Sequence, residues 1–316
     1  MFILNMDLYK KYNRKRKVLK PPWVYKKGEQ LHLAQRLLLS PLGAKGNTCY
    51  KDTINICYQF YIDKSAERQK EIVECLARNV SNPLIDKIYL LNEKIYTDEE
   101  LGIKSDKIIQ KNIHKRLTYK DLFDSVDKYN IEGYVVLCNS DIFFDNTLEN
   151  LFFTDLSLGK IMLSQLRFEY TDGDSQHKLW GWDERLKRAE DGSITTTKGN
   201  DYWSRTFNTS VDAWIFHSKF NVPTEFRDHF DFMLGIPHCE NRFHYVMYTL
   251  RYILIKDPYY VRIFHHHQSG KRNYTKKDNS IGNYTYIMPY QLSSAKAAKG
   301  VKIQPFPNTE SMSCVK

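Results

Sequence analysis

Short apolar blocks, each the length of a strand or a helix, begin near residue 53 and recur to about 274. "TINICYQFYI" (53–62) is nearly continuous and rich in β-branched and aromatic side chains, as suits a strand buried on both faces. The period then changes to a helical one in "DKSAERQKEIVECLARNVSNP". This segment has a polar start at Asp63 or Ser65, apolar positions at Ile72, Val73, Leu76 and Ala77, and a Ser-Asn-Pro stop. "IDKIYLLNE" (85–93) and "KIIQKNI" (107–113) read as a second and third strand. "TYKDLFDSVDKYN" (118–130) opens on Thr118 with Asp121 three residues on, a helix-start pattern, and sets Leu122, Phe123 and Val126 on one face.

Next comes "YVVLCNSDIFFDN" (134–146), an apolar strand that ends on Asn139, Ser140 and Asp141. "GKIMLSQLRF" (159–168), "VDAWIFH" (211–217), a helix from Glu240 to Arg251 and "DPYYVRIFHHHQSGKRNY" (257–274) complete the pattern. Strands alternating with helices predict βαβ crossovers and a mainly parallel sheet, whose ligands sit at the carboxyl ends of the strands. The polar stretch 169–204, with Trp180, Trp182 and Trp203, has the length of a lid or an insertion.

A chain of 316 residues suits one α/β domain with peripheral additions. The net charge of +10 would suggest a nucleic-acid partner if it were spread evenly. Instead residues 1–27 carry nine Lys/Arg and one acid, 28–268 carry thirty against thirty-four, and 269–316 carry eight against two, giving +8, −4 and +6. The middle is slightly acidic, and the basic ends read as solvated extensions or as contacts for an anionic surface. Six cysteines without paired short spacing read as reduced thiols, three of them in apolar-periodic segments. "MFILNMDLYKK" is too short an apolar run for a signal peptide, and no stretch of about 18 apolar residues occurs. The expectation is a soluble, cytoplasmic protein.

A carboxylate at the end of a core strand, as in Asn139-Ser140-Asp141, suits a divalent cation that neutralises a phosphate; the same triplet also suits a turn cap. Asp145 reads as the cap of a short helix from Thr147. In "RIFHHHQSGKRNY", His265 and His267 share one side of an extended segment while His266 points away, a metal-ligand spacing. Lys271 and Arg272 behind them offer donors for a phosphate. Asp212, at the start of "VDAWIFH", suits a general base, a sugar-hydroxyl ligand or a cap, and Asp231 and Glu240 in "DFMLGIPHCENR" are rival acids.

In that order, "QFYIDKSAERQKEIVECLARN", "IDKIYLLNE", "RLTYKDLFD", "VLCNSDIFFDNTLENL", "SVDAWIF", "LGIPHCENR" and "HHHQSGKRNY" resemble the GT-A class of nucleotide-sugar-dependent glycosyltransferases over about residues 53 to 275. They look most like poorly characterised members from large DNA viruses and microbes. The resemblance implies a Rossmann-like GT-A domain over 29–275, with a nucleotide-sugar half at 53–166 and an acceptor half at 167–275. Basic extensions would flank it at 1–28 and 276–316.

It further implies an Mn2+ or Mg2+ ion on Asp141 with His265 or His267, at a position where the class carries Asp-x-Asp and this chain has Asn139. A UDP- or GDP-linked sugar donor would lie against Tyr58, Gln59, Tyr61, Asn92, Arg116, Asn139, Ser140 and Arg272. Asp212, or its rivals Asp231 and Glu240, would face a glycan or protein acceptor. Two other readings stay open: a metal-dependent phosphoesterase or nucleotidyltransferase, and a non-catalytic binding module with a degenerate GT-A core.

Overall fold

A computed structural model describes residues 52–154, 156–171, 210–258, 260–271, 278, 280–285 and 287, together with short strands at 178–179, 186–188 and 194–196. The expected N-terminal extension, Arg272, Trp180, Trp182, Trp203 and most of the expected C-terminal extension lie outside the described residues.

In chain order the elements are β1 (Ile54–Tyr58), α1 (Ala66–Ser81), β2 (Lys87–Asn92), α2 (Asp98–Leu101), β3 (Ile108–Asn112), α3 (Tyr119–Lys128), β4 (Tyr134–Cys138), β5 (Ile142–Phe144), 3-10 turns at Asn146–Phe153 and Leu156–Leu158, β6 (Ile161–Gln165) and β7 (Phe168–Glu169). Then come β8 (Lys178–Leu179), β9 (Leu186–Arg188), β10 (Ile194–Thr196), β11 (Ala213–His217), 3-10 turns at Ser218–Phe220 and Thr224–Phe230, α4 (Cys239–Thr249), β12 (Ile253–Ile255) and β13 (Ile263–His265).

Seven strands form the main sheet in the order β12-β6-β11-β4-β1-β2-β3. All pairings are parallel except those of β11, which runs antiparallel to both β4 and β6. This is the mainly parallel α/β architecture that the strand–helix alternation predicts. The continuous apolar runs have a physical cause: both faces of the sheet are covered. Along β4, Tyr134, Val136 and Cys138 pack with β1 residues Ile54, Ile56 and Tyr58 and with α1 residues Ile72 and Leu76. Val135 and Leu137 point the other way, into a cluster with α3 and α4.

The helix starts are where the polar residues place them. Ser65 Oγ accepts from the backbone N–H of Arg68 at 3.4 Å to cap α1. Thr118 and Asp121 form a reciprocal capping box at α3. Asp145 Oδ1 accepts from the Thr147 N–H at 2.9 Å and the carboxylate pairs with Arg262, so it starts a 3-10 turn, the capping role its position predicts.

The first strand is shorter than the apolar run 53–62. After Tyr58 the chain leaves the sheet, and the Phe60 N–H bonds the Asn92 side chain at 2.9 Å.

Phe243 of α4 is fully buried, with Tyr119 4.6 Å, Trp214 5.4 Å and Phe230 5.5 Å away between ring centroids. Phe243→Ala leaves a cavity under the cleft described below and is expected to cost about 3–5 kcal/mol by urea denaturation. A loss below about 1 kcal/mol would mean that the aromatic cluster collapses to fill the gap.

A second, four-stranded sheet, β5-β13-β7-β8, folds over the carboxyl edge of the main sheet. His265 lies opposite Ile142 on one side and Glu169 on the other, so three residues far apart in the chain reach one point through strand register.

Candidate functional site

The carboxyl ends of β1, β2 and β4 and the start of β11 open onto a cleft of about 580 Å³. β11 is antiparallel, so its first residues sit where its neighbours end. The Asn139 N–H donates to the Asp212 carbonyl at 3.2 Å, which puts the expected metal strand and the expected acceptor acid side by side.

Asp141 is the hub. Its Oδ2 meets Arg68 Nη2 at 2.5 Å and His265 Nε2 at 3.1 Å, and lies 3.7 Å from His267 Nδ1. Its Oδ1 is buried without a hydrogen-bond partner. Burial alone would push this carboxyl up, but His265 and Arg68 outweigh it and hold the group well below the usual carboxylate range. His265 shows the converse. Burial lowers its pKa, yet Asp141 and the Glu169 carboxylate on Nδ1 at 2.9 Å carry it up to about 9. His267 is held low by burial and by Arg68.

Donor atoms of Asp141, His265 and His267 all lie within 4.8 Å of one another. The orphaned Oδ1, two imidazoles and a carboxylate behind one of them form a donor set that fits a divalent cation, Glu169 orienting His265 from behind. His266 points away as the alternation predicts, its Nδ1 3.7 Å from Glu74 and its ring against Tyr170.

The other expected residues divide. Gln59, Tyr61, Arg116, Asn139, Ser140, Asp212 and Glu240 line the cleft. Three expectations do not reach it. Tyr58 is buried in the core, Asn92 is fully buried, and Asp231 is exposed and not among the lining residues. Each has a local cause. Tyr58 is an inward residue of β1, the Asn92 amide is spent on the Phe60 N–H, and Asp231 follows the 3-10 turn Thr224–Phe230 on its outer side.

Asp212 is committed on both oxygens. Arg167 Nη1 donates to Oδ2 at 2.9 Å and Asn139 Nδ2 to Oδ1 at 3.1 Å. Glu240, in the first turn of α4, faces the same space. Burial, with Asp212 nearby adding to it, pushes its pKa up to about 7. The turn before α4 passes close to the cleft at Gly235, whose φ of +75° a side chain would strain; a Cβ there would lie 3.7 Å from Arg116 Nη2.

Sequence reasoning missed Arg68, Glu93, Arg167 and Glu169. Arg68 and Glu169 reach the site only through tertiary packing. Arg167 carries a weak signal, a charge two residues past the end of a buried strand.

No known family model matches the chain, and no curated protein matches it. Solved structures similar to it include GalNAc-T7 with UDP, GalNAc and Mn2+, at 11% identity and a TM-score of 0.41, over 68% of this chain and 43% of that one. Another is a mannosyltransferase from Pyrobaculum calidifontis in complex with GDP-Man and Mn2+, at 11% identity and a TM-score of 0.38, over 78% and 65%. A third is the 4-diphosphocytidyl-2C-methyl-D-erythritol synthase of Anaerococcus prevotii, at 12% identity and a TM-score of 0.36, over 72% and 91%. The chain thus spans less than half the length of the first. At these TM-scores the likenesses carry no functional weight, which rests on the residues of the cleft. Among the described residues no helix is long and apolar enough to cross a membrane.

Proposed function

We propose that this chain is a GT-A-type glycosyltransferase that moves a sugar from a nucleoside diphosphate to a hydroxyl of a glycan or protein acceptor. The observation that carries the reading is the buried carboxylate of Asp141, with one oxygen unpartnered and two histidines beside it, at the carboxyl edge of a parallel sheet. Asp141, His265 and His267 would hold Mn2+ or Mg2+, and the ion, when bound, supplies positive charge against the departing diphosphate. Asn139 stands where a second carboxylate would, and its amide turns instead toward Asp212.

This chain's own cations support the same task. Arg68 lines the cleft on Asp141, Lys271 lines it with its ammonium on Ser65 and Glu67, and Arg116 lines it too, its guanidinium anchored on the Leu234 carbonyl at 3.2 Å. On the acceptor side Asp212 acts as a positioning group, its oxygens already taken by Arg167 and Asn139. Glu240 is the acid suited to receive the proton of the attacking hydroxyl, because its pKa near 7 leaves it both available and basic.

The test is to incubate the purified protein with Mn2+ and a panel of nucleotide sugars. Donor binding with slow release of nucleoside diphosphate, lost on adding EDTA, is the expected result. Cleavage of phosphodiesters with no response to any nucleotide sugar would overturn the reading in favour of a phosphoesterase.

A further inference from the structure

α1 sends two charged side chains toward the cation site, Arg68 into the cleft and Glu71 behind it. They stand three residues apart on one face of the helix, and both side chains are less than a tenth exposed. Arg68 Nη2 is on Asp141, while its Nη1 donates to Glu71 Oε2 at 3.0 Å and to the His266 carbonyl at 3.3 Å. Glu71 is not among the residues that line the cleft.

The other partner of Glu71 is the chain that follows β13. The Ser269 N–H donates to Oε1 at 2.7 Å and the Ser269 hydroxyl to Oε2 at 2.9 Å. Burial would raise this carboxyl, but the bonds from Ser269 and Arg68 outweigh it and hold it below its usual value, so it is ionised at neutral pH. A buried carboxylate that accepts three hydrogen bonds, two of them from one loop residue, pins that loop to the helix.

Ser269 lies in the middle of the turn that carries His267. At the end of the turn the Lys271 carbonyl is 2.7 Å from His267 Nε2. A carbonyl only accepts, so Nε2 carries the proton. In the neutral ring Nδ1 is then the bare nitrogen, and Nδ1 is the atom 3.7 Å from Asp141 Oδ2. The turn therefore sets the tautomer of this imidazole as well as its place. The charge of Glu71 acts in the same direction, because an unbalanced Arg68 beside Asp141 would oppose a cation there.

We propose that Glu71 is a positioning residue for the cation: it holds the turn 267–271 on α1 so that His267 presents Nδ1 to the ion, and it balances Arg68 so that the charge of Asp141 stays available. The assignment rests on the metal site proposed above and extends it to a group outside the cleft.

Titration calorimetry with Mn2+ and long-range proton–nitrogen NMR of the metal-free His267 ring test it, on the wild type, Glu71→Gln and Ser269→Ala. Glu71→Gln keeps the shape but turns an amide N–H toward groups that donate to Glu71. Mn2+ is expected to bind this variant about 10- to 100-fold more weakly, the scale for losing an outer partner of a metal ligand. The His267 ring is expected to pass from the Nε2–H tautomer to a mixture of both. Ser269→Ala removes one of the three bonds at a half-buried position, and is expected to weaken Mn2+ binding about threefold or more with the melting temperature unchanged.

Leu76→Ala is the control. Leu76 is buried further along α1 in the cluster against the sheet, so its loss destabilises the same helix without touching the turn, and Mn2+ affinity is expected to stay within about twofold. Unchanged Mn2+ affinity in Glu71→Gln, or a His267 ring that keeps its tautomer there, overturns the assignment. Equal weakening in Leu76→Ala also overturns it, since the effect would then be one of helix stability. Where Glu71→Gln fails to fold, Ser269→Ala decides, and unchanged affinity in it overturns the assignment. Failure of the wild type to bind Mn2+ overturns the metal site itself, an outcome distinct from wild-type binding that Glu71→Gln leaves intact.

Discussion

Asp141→Asn is expected to reduce sugar transfer by about a thousandfold or more and to abolish saturable Mn2+ binding, while the side-chain volume stays the same. The magnitude is that of losing electrostatic stabilisation at a charge that develops in the transition state. The carboxylate also has a structural role, since it faces Arg68 at 2.5 Å with both side chains less than a tenth exposed. Removing one partner of such a buried pair leaves the other unpaired and typically costs about 3–5 kcal/mol. Loss of activity in the single variant would therefore be ambiguous by itself.

Combining Arg68→Met with Asp141→Asn separates the two effects. The unpaired guanidinium is gone, and Glu71, which loses Arg68 as a partner, keeps its bonds from the Ser269 N–H and hydroxyl, so thermal stability is expected to recover part of its loss while Mn2+ binding and transfer stay absent. If the stabilised double variant regained metal-dependent transfer, Asp141 would be a structural anchor and the catalytic reading would fail. Calorimetry for the metal and a melting curve for the fold are the two readouts.

The second large effect is expected at Glu240. Burial and the neighbouring Asp212 raise its pKa to about 7. A base must be deprotonated to accept a proton, so kcat/KM is expected to climb about tenfold per pH unit below 7 and to level off above it. Glu240→Gln keeps the shape and removes the basicity; turnover is expected to fall about 100- to 10,000-fold, and the rising limb to vanish. If the limb near pH 7 persists in the variant, another group titrates there. Asp212→Asn supplies the contrast. It weakens the grip of Arg167 and Asn139 and is expected to lower turnover while leaving a rising limb, displaced toward lower pH because a negative neighbour of Glu240 is gone.

The elements themselves were largely legible in the sequence. Ser65, Thr118 with Asp121, and Asp145 mark their helix starts because a capping side chain bonds backbone only two or three residues away. Buried strands such as Tyr134–Cys138 declare themselves because a parallel sheet covered on both faces needs apolar residues at every position. Asp141, His265 and His267 were also readable, two of them from the alternation along one extended strand. What was not legible was which of two neighbours at a strand end faces the cleft. Asn92 and Glu93 differ by one position at a strand end, and there the backbone turn decides which side chain enters the cleft.

The sequence by itself determined the local order: where strands and helices begin, that the sheet is mainly parallel, and that a carboxylate closes its central strand. The tertiary structure alone decided which residues meet. β11 runs against its neighbours, so Asp212 arrives at the edge where β4 ends. β13 pairs with β5 and β7 in a register that sets His265 between Asp141 and Glu169. Arg68 comes in from α1, 73 positions away in sequence, onto the Asp141 carboxylate. Periodicity and capping are set by neighbours along the chain. Which charge faces which is set by strand pairing and helix packing across long separations, and a one-residue change of register there would exchange every partner.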